Sequence, residues 1–425
     1  MRHSAFAVLF LAIATSVMAE EESAPDFAQD TLSGDWGGAR SAAAKNGFLF
    51  EGGVKVDALR NRGALKDGSK TVSHIDLKLK MDLDKAAGWR GGSALVNIVS
   101  DSGWGPNARL VGAQMGVTNI EVGAPTTTRL FQAWLQQSFL DERLALLAGL
   151  YPIDSEFFTM DAAGVFLGPQ YGTPAELALT DTPSVFNNSA FGIRARWAIA
   201  PSLYVMGAVL DGVPNDPAHP KRTRVRFDDG DGSFSIGEFG WLPEAENEKF
   251  KGHAKFALGF WGYSTQRADQ LDTANIDAGN SAGPARKRRS RGGYLLGERT
   301  LLHLGGSDDR FISGFARYTF GDGDSTALEN TLNIGLHVRG AATSRPDDIM
   351  GLAWSRAELS DKWRSAQTVG GTASEHAEDV VEATYRYSLT PWFAIQPNVQ
   401  YIRNPGGTNG TSNAKLIGVR LELVL

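Results

Sequence analysis

The sequence predicts an all-β protein, a transmembrane antiparallel β-barrel of about 16 strands with a short N-terminal helix. Three observations lead there. The chain closes on an alternating segment in which Ile417, Val419, Leu421, Leu423 and Leu425 are apolar while Arg420 and Glu422 lie between them. An extended chain points successive side chains to opposite faces, so this strand has one oily face and one face that can hold charge. The same period of two recurs along most of the chain. Finally, Met1 to Ala19 starts with Arg2, runs apolar from Ala5 to Ala14 and ends Val17-Met18-Ala19 before Glu20, the pattern of a secretory signal cleaved after Ala19.

The composition narrows the class further. The apolar run of the signal is far shorter than the ~20 residues of a spanning helix, and charged residues interrupt every other long apolar stretch, which excludes a helical inner-membrane protein. There are 49 Gly and no Cys, so the chain uses many turns and no disulfide or thiolate metal site. Mean hydropathy of −0.21 suits strands with one wet face. A net charge of −6 argues against a nucleic-acid partner. No linker divides the chain. We read residues 1–19 as signal, 20–46 as a periplasmic leader with a short helix, and 47–425 as one barrel.

After the acidic leader come Gly34-Asp35-Trp36-Gly37-Gly38-Ala39-Arg40 and Ser41-Ala42-Ala43-Ala44-Lys45; the alanine-rich piece predicts a helix that Gly47 stops. A first strand runs from Phe48 to about Arg60. In the second, Ile75, Leu77, Leu79, Met81 and Leu83 alternate with Asp76, Lys78, Lys80, Asp82 and Asp84. A third spans Gly92 to Ser102, and the polar stretch from Gly103 to Thr127 suits an external loop able to fold inward. Then Phe131, Ala133, Leu135 and Phe139 alternate with Gln132, Trp134, Gln136 and Ser138, and Asp141-Glu142 turns the chain into Leu144 to Leu150.

Later segments repeat the scheme. Phe191, Ile193, Ala195 and Trp197 face away from Arg194 and Arg196, and Phe256, Leu258 and Phe260 from Lys255 and Trp261. Leu332, Ile334, Leu336 and Val338 oppose Asn333, His337 and Arg339. Val381 to Leu389 alternate with Glu382, Thr384, Arg386 and Ser388, and Phe393 to Tyr401 follow with Pro397, which lacks a ladder donor and predicts a bulge or a local loss of pairing. Short turns alternate with long loops, as periplasmic turns and extracellular loops do in outer-membrane barrels. Outward Trp197, Tyr385, Tyr387, Trp392, Phe393 and Tyr401 suit the interfacial girdles.

Several of these stretches resemble one family. Gly34 to Arg40, the Gln132-x-Trp134-x-Gln136-Gln137-Ser138-Phe139 strand, Gly237-Glu238-Phe239-Gly240, Arg345-Pro346-Asp347-Asp348 and above all Leu389 to Gly407 are similar to the OprB-type carbohydrate-selective porins. The resemblance covers nearly the whole mature chain. It implies a sixteen-stranded outer-membrane barrel that passes monosaccharides by facilitated diffusion, as a monomer or a homotrimer, after insertion by the barrel-assembly machinery. The chain departs from the family in ending Leu423-Val424-Leu425 rather than near an aromatic residue. The Arg286-Lys287-Arg288-Arg289-Ser290-Arg291 run is a second departure; it reads as a solvated loop, a site for lipopolysaccharide phosphates, or a group that attracts acidic solutes to the mouth of the pore.

A neutral sugar offers hydroxyls around apolar C–H faces, so its channel needs donors, acceptors and aromatic platforms that hold it loosely. By strand parity the inward set contains Arg194, Arg196, Arg317, Arg339, Arg386 and Arg420 as donors, Glu382 and Glu422 as acceptors, and Trp134 and Trp261 as stacking platforms. For any one of them the plain alternative is a solvated lumen charge that pairs with a neighbour. Arg in lipid at mid-bilayer costs ~2–4 kcal/mol, which favours the inward assignment.

No cofactor, metal or catalytic residue is predicted. Asp228-Asp229-Gly230-Asp231-Gly232 lacks the spacing of a calcium loop and reads as a turn, and the histidines form no metal-binding motif. The alternatives to a sugar porin are a general or ion-selective pore, an outer-membrane enzyme, and a soluble periplasmic β protein.

Overall fold

The computed structural model describes residues 26–123, 126–180, 183–243 and 253–425. The expected signal, residues 1–19, and the start of the leader lie outside them. Sixteen antiparallel strands close into one barrel. Along the chain these are β1 Phe48–Arg62, β2 Gly68–Asp82, β3 Gly92–Ser102, β4 Thr126–Phe139, β5 Leu144–Tyr151 and β6 Ala190–Ala200. Next come β7 Leu203–Asp211, β8 Ser233–Trp241, β9 Ala254–Tyr263, β10 Arg291–His303 and β11 Phe311–Gly321. The last five are β12 Leu328–Arg339, β13 Ile349–Leu359, β14 Ala377–Thr390, β15 Phe393–Arg403 and β16 Ala414–Val424. Each pairs with its sequence neighbours, and β1 pairs with β16 from Gly53↔Val424 to Arg62↔Lys415, so no edge is left open.

Alternation fixes the two faces. In β16, Arg420 is buried while Ile417 and Leu421 are exposed; in β6, Arg194 is buried while Ile193 and Trp197 are exposed. Exposed Ile193, Leu258, Phe260, Leu295, Ile334, Leu352, Val399 and Ile417 lie on the outside wall. An apolar band of that extent on a barrel exterior matches lipid rather than water. No helix among the described residues is long and apolar enough to cross a membrane.

Two expectations change and a third is narrowed. The second strand stops at Asp82, whose carboxylate caps a helix over Leu83–Ala87 by accepting the N–H groups of Asp84 and Lys85, so Leu83 and Asp84 leave the alternation. Phe131 is not on the lipid face: a register shift opposite Asn97/Ile98 inserts one residue into β4 and turns Phe131 inward, edge-on to Phe186 at 5.8 Å. Pro397 meets the second of its two expectations, a local loss of pairing: the ladder with β14 lacks rungs at Tyr385 and Arg386, while the register with β16 runs unbroken through Val419 and shows no bulge.

The expected N-terminal helix spans Ala39–Lys45, with Gly47 at φ +86° behind it. Its purpose is visible in Arg40, which is 3% exposed. The guanidinium donates to Phe50 O at 2.7 Å, Leu425 O at 2.9 Å and Thr31 Oγ1 at 2.9 Å, and lies 4.4 Å from the Phe27 ring. It thereby clamps both strands of the closing seam. Replacing Arg40 with Ala strands these acceptors at a cost of roughly 1.5–3 kcal/mol per charged hydrogen bond before relaxation. The expected outcome is a clearly lower urea midpoint for loss of heat-modifiable gel migration, with the exposed Lys45→Ala variant unchanged.

Candidate functional site: the lumen

Two long loops fold back into the barrel from the end opposite the short turns. The first, residues 103–123, enters through Gly103 at φ +85°, where a Cβ would meet Thr71 O at 2.3 Å. It buries Leu110, Val111, Met115 and Val117 against Leu59, Val380, Ile402 and Leu416 of the wall. The second, residues 152–180 and 183–189, buries Ile153, Phe157, Phe158, Phe166 and Tyr171 among Tyr204, Phe234, Trp261, Tyr294 and Phe315. The loops meet where Asn119 N donates to Leu167 O at 2.7 Å. The sequence anticipated the first loop and missed the second, whose irregular backbone carries no period.

A loop inside a barrel must have its backbone N–H and C=O groups satisfied by something other than a ladder. The wall supplies the partners. Glu382 accepts from Leu167 N at 2.7 Å, Gly168 N at 3.0 Å and Asn398 Nδ2 at 2.7 Å. Glu378 accepts from Gln114 N and Met115 N, both at 2.9 Å, and Gly406 N at 2.7 Å. Glu298 accepts from Ala162 N at 2.7 Å, and Glu238 from Phe158 N at 2.9 Å. Donors run the other way: Arg317 reaches Phe158 O at 3.1 Å and also Gln170 O and Gly172 O, and Gln400 donates to Val117 O at 2.8 Å.

The candidate residues therefore separate into three groups. Arg194, Arg317, Arg420 and Glu382 are each 2% exposed or less and are spent on the loops and wall. Arg194 holds Glu156 through two bonds of 2.8 and 2.7 Å, and Arg420 holds Asp57 through two of 2.7 Å while reaching Asn119 Oδ1 at 2.7 Å. Arg196, Arg339, Arg386 and Glu422 face the lumen nearer the short turns and keep part of their surface in solvent. There Arg386 pairs with Glu422 at 2.8 Å, Lys80 with Glu51 at 2.7 Å and Lys78 with Asp76 at 2.9 Å. Arg339 lies 3.1 Å from Asp347, and the Arg196 guanidinium sits 4.8 Å from the Tyr204 ring. Trp134 and Trp261 also point inward but are packed; Trp261 stacks on Phe234 with centroids 6.3 Å apart.

Sequence reading missed Asp57, Glu238, Glu298 and Glu378 as anchors, although all four share the inward parity of their strands. Glu238 had one further signal, the glycine at Gly240. Tyr204 lies across Gly240 and Tyr294 across Gly259, so close that a Cβ would meet either ring at 2.1 Å. Both phenols donate to Glu238 at 2.6 Å. Asp161, His253 and Glu298 converge without any sequence motif: His253 Nε2 lies 2.9 Å from Glu298 and 3.7 Å from Asp161. The Asp228–Gly232 segment is the expected turn, closed by Asp231 N to Asp228 O at 3.2 Å.

This framework responds to mutation and pH in definite ways. Glu382→Ala removes the acceptor of two loop N–H groups, at ~1–3 kcal/mol for each buried donor left unpaired. Single-channel recordings should show larger conductance and a raised size limit for neutral solutes, whereas Glu422→Ala should leave the size limit in place. On the second loop, burial pushes the Asp154 carboxyl up to about 6, although it accepts Phe186 N at 2.8 Å. A folded pKa above the unfolded one favours the protonated fold, so the contribution is complete below the unfolded value and lost as pH rises through about 6. Asp154→Asn should melt above wild type at pH 8 and match it near ~pH 3.5.

Comparison with known proteins agrees with this architecture. The profile of the carbohydrate-selective porin, OprB family, matches residues 66–425, from just before β2 to the end of β16. Porin B of Pseudomonas aeruginosa is 25% identical over 445 residues, covering 99% of this chain and 96% of the relative. The high-pH structure of Pseudomonas putida OprB superposes with a TM-score of 0.82 at 21% identity over 94% of this chain and 100% of that one. The low-pH structure of the same protein gives 0.60 at 18% identity over 93% and 98%. These solved structures share the closed barrel. Because the family profile runs through all but the first strand of that barrel, the chain belongs to the OprB family of carbohydrate-selective porins.

Proposed function

We propose that this porin passes monosaccharides such as glucose across the outer membrane into the periplasm by facilitated diffusion, with Arg196, Arg339, Arg386 and Glu422 as the groups a sugar meets. Family and barrel point to a channel rather than an enzyme. The observation that carries the finer reading is the mixed-sign lining near the turn end, where Arg386–Glu422, Lys80–Glu51 and Lys78–Asp76 set donors beside acceptors. Such a lining replaces the water around a polyhydroxyl solute without the single-sign field that selects ions. In this reading Arg194, Arg317, Arg420 and Glu382 act indirectly, by holding the inserted loops at the width of the solute, and Trp134 and Trp261 support the wall. Export by the signal at residues 1–19 and insertion by the barrel-assembly machinery belong to the same proposal.

Liposome swelling with refolded protein tests it. Glucose should enter faster than an acyclic polyol of equal size and much faster than a disaccharide. Arg196→Ala or Arg386→Ala should erase a preference of about fivefold, the loss of roughly one hydrogen bond. Entry ordered by size alone, in wild type and variants alike, would make this a general diffusion pore.

A further inference from the structure

The basic run Arg286–Arg291 has no part in the lumen. Its Lys287–Arg288 pairs with Arg267–Ala268 as a two-stranded ribbon above the rim of the barrel, and β10 begins at Arg291. Arg286 is taken by Asp272 through bonds of 2.7 and 2.9 Å. Arg288 stands 3.7 Å from Asp269 and 3.6 Å from Asp324, and its Nε has no hydrogen-bond partner. Lys287, Arg289 and Arg291 are exposed and have no ion pair among the described residues.

These side chains themselves line an open recess of about 670 Å³ at the rim, together with Phe260, Phe320 and the edge of Trp261. The two Phe rings are on the lipid side of the barrel. Phe260 and Phe320 both pair with Gly293 of the strand between them, and their centroids are 6.4 Å apart in an edge-on arrangement. A Cβ at Gly293 would meet Phe320 at 2.8 Å and Phe260 at 2.9 Å, so the glycine lets the rings close over it. Arg291, two residues from Gly293, has the same outward parity one step nearer the rim. One step deeper, Leu258, Leu295 and Tyr318 continue the exposed apolar wall. The carboxylates in the lining are engaged: Asp322 accepts from Arg291 N at 3.2 Å and Asp324 N at 2.9 Å, and Asp324 also binds Lys362.

We infer that this rim recess is a binding site for a phosphorylated glycolipid of the outer leaflet, with phosphate against Lys287, Arg289 and Arg291 and the first acyl carbons on Phe260 and Phe320. Charge above and apolar surface below, at the loop end of a lipid-facing wall, match an amphiphile with an anionic head. A free anion uses only the upper half of that surface. The inference rests on the outer-membrane placement, not on sugar selectivity.

The test is native mass spectrometry of the refolded full chain in detergent, titrated with bis-phosphorylated lipid A, dephosphorylated lipid A or inorganic phosphate. The expected result is one retained lipid A with clear preference over the dephosphorylated form. Combined Lys287→Gln, Arg289→Gln and Arg291→Gln should weaken it roughly 100-fold at low salt. Phe260→Ala with Phe320→Ala should weaken binding while keeping the phosphate preference, and Arg286→Gln should change nothing. Heat-modifiable migration checks that each variant is folded. Equal binding of the dephosphorylated lipid, unchanged binding by the triple variant, or displacement by equimolar inorganic phosphate would overturn the inference. So would a protein dimer that disappears with the two Phe changes, since the occupant would then be a second copy. Because the readout is retained lipid, a failure of the swelling experiment leaves it intact.

Discussion

The structure depends on satisfying backbone that has left the sheet. A closed barrel leaves no strand edge open, but chain folded into its lumen brings N–H and C=O groups with no ladder to join. In this protein the wall answers with side chains at inward parity. Glu238, Glu298, Glu378 and Glu382 accept from loop N–H groups, while Arg317, Gln396 and Gln400 donate to loop carbonyls. Burying a carboxylate is costly, and two or three charge-assisted bonds per group offset it. Lumen shape is thus set by the same residues that would otherwise be read as a charged lining.

That division of labour explains the stretches that resemble the porin family. The Gly34–Arg40 segment leads to the guanidinium that locks β1 to the chain end. Gly237-Glu238-Phe239-Gly240 gives a carboxylate and the space for the tyrosine above it. Gln136 accepts from Arg194 at 2.9 Å, and Gly406 joins Glu378 to the first inserted loop. Asp348 receives Arg345, Ser388 N and the Tyr385 hydroxyl, which fixes the turn before β13; the Arg345 guanidinium and these donors keep its carboxyl below the usual range.

The period of two serves two solvents at once. Inward positions pair across a wet lumen and with the inserted loops; outward positions present Leu, Ile and Phe to lipid, and at the rim the same outward parity puts Arg291 directly above the Phe260–Phe320 pair. A shift of one residue would exchange these environments along a strand. Phe131 shows the effect, since a single inserted residue moves it from the lipid side to the aromatic contact with Phe186.

Alternation together with the signal-like start pointed to a barrel of about sixteen strands, and alternation by itself set the facing of Arg194, Arg196, Arg317, Arg339, Arg386 and Arg420, because a side chain's face depends only on its place in an extended chain. Helical caps at Asp82 and the bulge at Phe131 escaped it, since both turn on one local departure from that period. Which partners the inward charges take is visible only in the tertiary structure. Arg317 meets Phe158 and Glu382 meets Leu167 across separations of 159 and 215 residues. Contacts of that kind follow from barrel closure and leave no local pattern, so the sequence showed which groups face inward and the fold decided which of them stay in the open lumen.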